Sequence, residues 1–304
     1  MSLPLSRRAL LKNAAAVAAA LALPPRLAAC AGRDPDRARL ADWAGVLRAA
    51  GLAGPPIPLG RAAIRVGELA AGTPYEPQTL EAYLRAGASA AGSEPLTLSL
   101  TRFDCVTLVE ACLALPRAAA AQDAVTWARF GREVERMRYR GGQRTGYPSR
   151  LHYFREWIAD GEHRGLLRDL GVELGAEEDV RPLRFMTEHR ASYPALADGH
   201  VFREIGALER SLDGRPRRVV ATAQIPDVLD RIESGDVLAF ATAIPGLDVT
   251  HAAFAHRDAG GVMRVLHAPL SGGVVEVTRT TLPEYVGAIR RATGILVARP
   301  LWGV

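Results

Sequence analysis

Two features of the 304-residue chain predict an α+β fold. Helical spacing of apolar residues dominates its earlier part, and from about Arg217 the apolar residues alternate in short runs separated by turn residues. Helices in series followed by strands in series indicate an antiparallel sheet rather than alternating β–α units. A hydrophobic content of 48% suffices for a substantial core.

Taken in order, DPDRARLADWAGVLRAAG reads as an amphipathic helix closed by Gly51. The turn GPPIPLG leads into a second helix near Arg61–Ala71, ended by GTPY. TLEAYL and PLTLSL are expected as strands, the latter placing Leu96, Leu98 and Leu100 on one face. In TRFDCVTLVEAC, residues Cys105, Leu108, Val109 and Cys112 trace one helical stripe that continues to Leu113. Further helices are expected over Asp123–Tyr139 and, with Ser149 as N-cap, over Arg150–Ala159. Residues 160–215 are polar and weakly periodic. RRVVAT then reads as a strand and IPDVLDRI as a helix with proline in its first turn. DVLAFAT, VTHAAFAHR, GVMRVLHA and GGVVEVT are four strand candidates, followed by the helix LPEYVGAIRR and the strand GILVARP.

Residues 1–30 carry the marks of an export signal: paired Arg7 and Arg8, then an apolar run from Ala14 to Leu23 too short to span a bilayer. SRRALLKN resembles the twin-arginine pattern, with Leu10 where phenylalanine is usual. Leu27-Ala28-Ala29-Cys30 resembles a lipoprotein processing site, which would lipidate Cys30 and attach the protein to a membrane. Ordinary signal-peptide cleavage nearby is the alternative. Either route delivers the protein to the periplasm or cell envelope. Residues 31–59 then form an N-terminal helical segment ahead of the main domain, residues 60–300. The net charge of +5 is spread among acidic residues, as in RFGREVERMRYRGG, which indicates a solvated mixed-charge surface and no nucleic-acid partner.

Export makes the three cysteines informative. On one helix, Cys105 and Cys112 lie about 10 Å apart at roughly 1.5 Å per residue. A disulfide needs Cα atoms within about 7 Å, so both thiols are free. Cys112, between Ala111 and Leu113, is placed as a packing residue. Cys105 falls in the first turn, where unpaired N–H groups and the helix dipole favour a thiolate. Its base would come from the strand region, since His152, His163, His189 and His200 sit in polar stretches and read as surface residues. His256 reads as a strand-end rim residue. His251 and His267, sixteen residues apart, suit neighbouring positions on two hairpin strands. With Cys105 they make a nucleophile, a base and a base-orienting group. Nothing in the sequence calls for a cofactor or a metal, because no HExxH, paired CxxC, GxxxxGK[ST], GxGxxG or GxSxG motif occurs.

FDC opening a helix, GDVLAF starting a strand, HAAFA on the next and LHA on the following one resemble the NlpC-type bacterial cell-wall cysteine hydrolases. Within that superfamily, FDCVTLVE, YRGG, GYPSRLHYFREW and GLDVTHAAFAHR resemble the N-acetylmuramoyl-L-alanine amidase-like branch. The resemblance implies a papain-like core, with the cysteine helix packed on an antiparallel sheet and a helical insertion at about residues 120–215. It implies Cys105 as nucleophile, His251 as base and acid, and His267 as the orienting group. Tyr75 and Asp104 match residues that bind a free amine in the endopeptidase branch. Arg150 and Tyr153 of the insertion are candidates for closing over a sugar. The implied activity is hydrolysis of the N-acetylmuramoyl-L-alanine bond of peptidoglycan fragments, small 1,6-anhydro-muropeptides above all. A peptidase cutting between D-glutamate and the diamino acid is the rival within the same chemistry. A non-catalytic envelope-binding lipoprotein is the rival outside it.

Overall fold

The computed structural model describes residues 34–121, 123–271 and 273–303. The expected export signal, its paired arginines and Cys30 lie outside the described residues. The chain divides at residue 35, and the second unit, Asp36–Val304, is the body described below.

Helix α1 (Pro35–Ala49) buries Leu40, Trp43 and Leu47, and the chain turns away at Gly51, whose φ of 66° suits glycine. Helix α2 (Leu59–Leu69) is followed by a 3-10 turn, Thr79–Glu81, and the short α3 (Ala82–Arg85). The cysteine helix α4 (Cys105–Ala119) precedes α5 (Trp127–Arg138) and α6 (Phe154–His163). Two short strands, β1 (Leu167–Asp169) and β2 (Glu177–Asp179), lead to α7 (Phe185–Glu188) and α8 (Gly199–Ser211). Strand β3 (Arg217–Ala221) and α9 (Ile225–Val228) open the sheet region. β4 (Val237–Thr242), β5 (Val249–Arg257), β6 (Met263–His267) and β7 (Glu276–Val277) follow. Helix α10 (Leu282–Ala288) and β8 (Ala292–Pro300) complete the body.

The strands form one sheet in the order β2-β3-β8-β4-β5-β6-β7, with β1 also on β8, and every ladder is antiparallel. β4 is buried along its whole length because both faces are covered. Val237, Ala239, Ala252 and Phe254 share a core with α2 and α4, while Leu238, Phe240, Ala253 and Val265 pack with α9 and α10. Gly235, just before β4, has a φ of 98°, and a Cβ there would fall 2.2 Å from the Gly60 carbonyl oxygen. Only glycine lets α2 approach this closely. The stretch of weak periodicity contributes Met186, Leu196 and Ile205 to a separate core that also holds Ala90, Tyr147 and Tyr153.

Three expectations are corrected. TLEAYL is helical, since a six-residue run of alternation cannot outweigh alanine, leucine and glutamate. PLTLSL forms no strand, because side chains take its backbone groups: Asp36 Oδ1 accepts from Leu100 N at 2.6 Å, and Arg138 Nη1 donates to Thr97 O at 2.7 Å. Ser149 caps no helix; its hydroxyl donates to Gly146 O at 2.6 Å. Helix α6 begins later, at Phe154, and Asp248 Oδ2 accepts its Arg155 N–H at 2.9 Å from across the fold.

Candidate active site

Asp104 is the N-cap of α4. Its Oδ1 accepts from Thr107 N at 2.8 Å while Thr107 Oγ1 accepts from Asp104 N at 2.9 Å, a reciprocal capping box that fixes Cys105 as the first helical residue. The backbone N–H groups of Ala252, Val106 and Cys105 act to lower the thiol. Burial nevertheless pushes the thiol up to about 12, helped by the adjacent Asp104 carboxylate. The expectation of a resting thiolate is therefore corrected: the helix start supplies donors, but desolvation outweighs them. Cys112 is fully buried and burial raises its thiol further, as suits a packing residue.

His251 precedes Ala252 on β5. A bulge here sets His251 opposite Phe240 and Val249 opposite Ala241, a device that re-aims side chains. The ring lies against Phe240, centroids 5.5 Å apart. His251 Nε2 and His267 Nδ1 are 2.8 Å apart, and Tyr285 Oη lies 3.2 Å from the same His267 nitrogen. Both histidines are nearly inaccessible, at 3% and 2% exposure. Burial lowers them to about 3 and about 4, so both are neutral imidazoles at pH 7. His251 Nδ1 is buried with no hydrogen-bond partner among the described residues. A buried ring nitrogen held without a partner is costly unless a reacting group uses it.

Cys105 and His251 line one cleft that opens to solvent. Val106, Leu151, Phe154, Trp157 and Val249 give it apolar walls. Its charged residues are compensated. Arg138 is bidentate on Glu110, with Nη2···Oε2 at 2.6 Å, and Arg150 meets Glu81 at 2.9 Å and Glu94 at 2.8 Å. Asp248 accepts from the Arg155 and Val249 N–H groups. The wall thus presents apolar surface and neutralised polar groups, not a free charge.

Of the residues expected at the site, the cleft holds Cys105, His251 and Arg150, with His267 behind His251. Tyr75 bridges to Phe103, and burial, Cys105 and Asp104 all raise its phenol. Asp104 serves the helix cap. Tyr153 is not at the cleft. It is 1% exposed in a core shared with Met186 and Ile205, where its hydroxyl donates to Glu209 Oε1 at 2.6 Å. His152, expected at the surface, lines the cleft instead. Its Nε2 donates to Tyr147 O at 2.9 Å, its ring packs on Tyr147 at 4.6 Å, and burial lowers it to about 3. The neutral ring therefore keeps its lone pair on Nδ1. No local signal in GYPSRLHYFREW distinguishes this histidine from a solvated one.

A family model for AmiA-like proteins, described as N-acetylmuramoyl-L-alanine amidase-like, matches residues 65–295. The structure of an N-acetylmuramoyl-L-alanine amidase from Bacteroides uniformis is similar, with 29% identity, a TM-score of 0.72, and coverage of 80% of this chain and 99% of that one. A Bacteroides fragilis protein with a provisional xylanase assignment is 31% identical over 77% of this chain and 99% of its own, with a TM-score of 0.69. A Legionella pneumophila protein, 16% identical with a TM-score of 0.64, shares the fold. No curated protein matches the chain. By the match over residues 65–295, the chain belongs to the N-acetylmuramoyl-L-alanine amidase-like family.

Proposed function

We propose that this member of the amidase-like family is an exported cysteine amidase of the NlpC-type superfamily, cleaving the N-acetylmuramoyl-L-alanine bond of peptidoglycan fragments, with 1,6-anhydro-muropeptides as the preferred class. The observation that carries the proposal is the pairing of His251 Nε2 with His267 at 2.8 Å, which leaves unpartnered the Nδ1 of a histidine that lines the same cleft as Cys105.

Both groups rest neutral. As Sγ attacks the lactyl carbonyl, the thiol proton passes to His251 Nδ1, and His267 accepts from the Nε2–H of the resulting imidazolium. The N–H groups of Cys105 and Val106 at the start of α4 are the oxyanion donors. His251 then gives its proton to the departing amine of L-alanine. Water, deprotonated by His251, cleaves the thioester and frees the thiol. The apolar walls and the Arg150 network receive the sugar. Carboxylate-pair glycoside hydrolysis is less well supported, because Glu110 is bound to Arg138 and Asp248 to two backbone N–H groups.

The test is incubation with defined muropeptides and identification of the new amino terminus. Free L-alanine supports the amidase; a free diamino acid identifies the peptidase instead. Cys105→Ala is expected to remove at least a thousandfold of the turnover while the protein stays folded. Undiminished turnover by that variant would mean another nucleophile, or none.

A further inference from the structure

A neutral imidazole has one ring proton to place, and the two histidines behind Cys105 admit two placements. Across the 2.8 Å contact, one of His251 Nε2 and His267 Nδ1 carries the hydrogen and the other a lone pair. With the hydrogen on His251 Nε2, that ring keeps Nδ1 bare and can accept a thiol proton, and His267 carries its own hydrogen on Nε2. With the hydrogen on His267 Nδ1, His251 is already protonated on Nδ1 and cannot serve as a base. The contact itself is the same in both orders, so the selection must come from the far end of the chain.

That end is His267 Nε2, which is buried and has no hydrogen-bond partner among the described residues. Glu276 Oε1 lies 3.8 Å from it. The β6–β7 ladder sets Glu276 directly opposite His267, the arrangement in which cross-strand side chains meet. The Glu276 side chain is 54% exposed, so it can change rotamer and close the remaining gap. Tyr285 Oη, 3.2 Å from His267 Nδ1, can donate or accept and so accommodates either order. Only the carboxylate, which accepts and never donates when ionised, discriminates.

We infer that Glu276 is a positioning residue, whose carboxylate accepts from His267 Nε2–H and thereby holds both rings in the order that leaves His251 Nδ1 bare. No bond is made or broken at Glu276, and it stays ionised. When His251 takes the thiol proton, the positive charge gains a carboxylate partner through His267. The catalytic consequence rests on the amidase proposal; the proton order does not.

Two-bond ¹H–¹⁵N correlation of the histidine rings at pH 7.5 tests it. Wild-type His251 and His267 should both be Nε2–H tautomers. Glu276→Leu should move a measurable fraction of both to Nδ1–H, and Glu276→Gln, whose amide oxygen still accepts, should restore them. On a muropeptide that the wild type turns over, Glu276→Leu should lower kcat roughly tenfold or more with KM little changed. Wild-type rings in the Nδ1–H form would overturn the inference. So would unchanged tautomers in Glu276→Leu, even with kcat reduced, since a structural role alone does that. If the wild type turns over no muropeptide, the amidase proposal fails and the ring tautomers still decide the role of Glu276.

Discussion

Cys105 is held between opposing influences. The nearby backbone N–H groups favour the thiolate, while burial and the Asp104 carboxylate disfavour it more strongly, so the resting thiol sits at about 12. Asp104 therefore acts on its neighbour in two separable ways, through its cap and through its charge. Asp104→Asn keeps an oxygen for the Thr107 N–H and removes the charge. Its helix should remain within about 0.5 kcal/mol of wild type, because asparagine caps as well as aspartate. The thiol should fall, and alkylation by iodoacetamide at pH 8 should quicken by roughly two- to tenfold, one pKa unit being tenfold in thiolate. Asp104→Ala should quicken alkylation too but cost about 1 kcal/mol in stability through the lost cap. An unaltered alkylation rate in both variants would show that burial alone keeps the thiol protonated.

Between elements, α4 and α5 are clasped by Glu110 and Arg138, only 2% and 3% exposed, and the same arginine holds the carbonyl of Thr97. The pair joins the cysteine helix to α5 at the wall of the cleft. Removing one partner strands a buried charge. Glu110→Leu and Arg138→Met should each cost about 3–5 kcal/mol in urea unfolding, and the double variant should recover much of that. Additive losses would mean the two charges are not coupled. This clasp also shows where sequence reading stops. The run RFGREVERMRYRGG looks like a solvated surface, and nothing local marks Arg138 as the one arginine that faces inward. The same holds for α6, capped by Asp248 from a distant loop, and for the segment 95–100, whose backbone is satisfied by Asp36 and Arg138. By contrast, strands β3 to β6, β8 and helix α4 follow from their own periodicity, because each buries the face its sequence already defines.

At the scale of the molecule, the site assembles from the cysteine helix, the central strands and the segment 138–157, and only the first two are legible. Cys105, His251 and His267 are marked by helix position and by hairpin spacing. His152 is brought to the cleft by the loop that precedes α6, and its polar sequence gives no hint of that. The assembly holds three imidazoles neutral, His251 and His267 buried and His152 half-buried, which couples the site to the stability of the whole. At pH 7.5 these rings are neutral folded and unfolded, and they contribute nothing to the pH dependence. As pH falls through about 6.5, the unfolded chain binds protons on them, whereas the folded rings, held near 3 at His152 and His251 and near 4 at His267, do not. The unfolded state then binds more protons, so stability is lost as pH falls from about 6.5 toward 4. Burial raises Glu94, Glu110 and Asp248, which take up protons first in the folded state and oppose this trend. A single ring must therefore be isolated. His152→Gln retains a donor for the Tyr147 carbonyl and cannot titrate in this range. Its stability relative to wild type should rise by about 1–2 kcal/mol between pH 7.5 and pH 5, measured by urea unfolding at each pH. A difference that stays constant across that range would show that His152 is not held neutral by the fold.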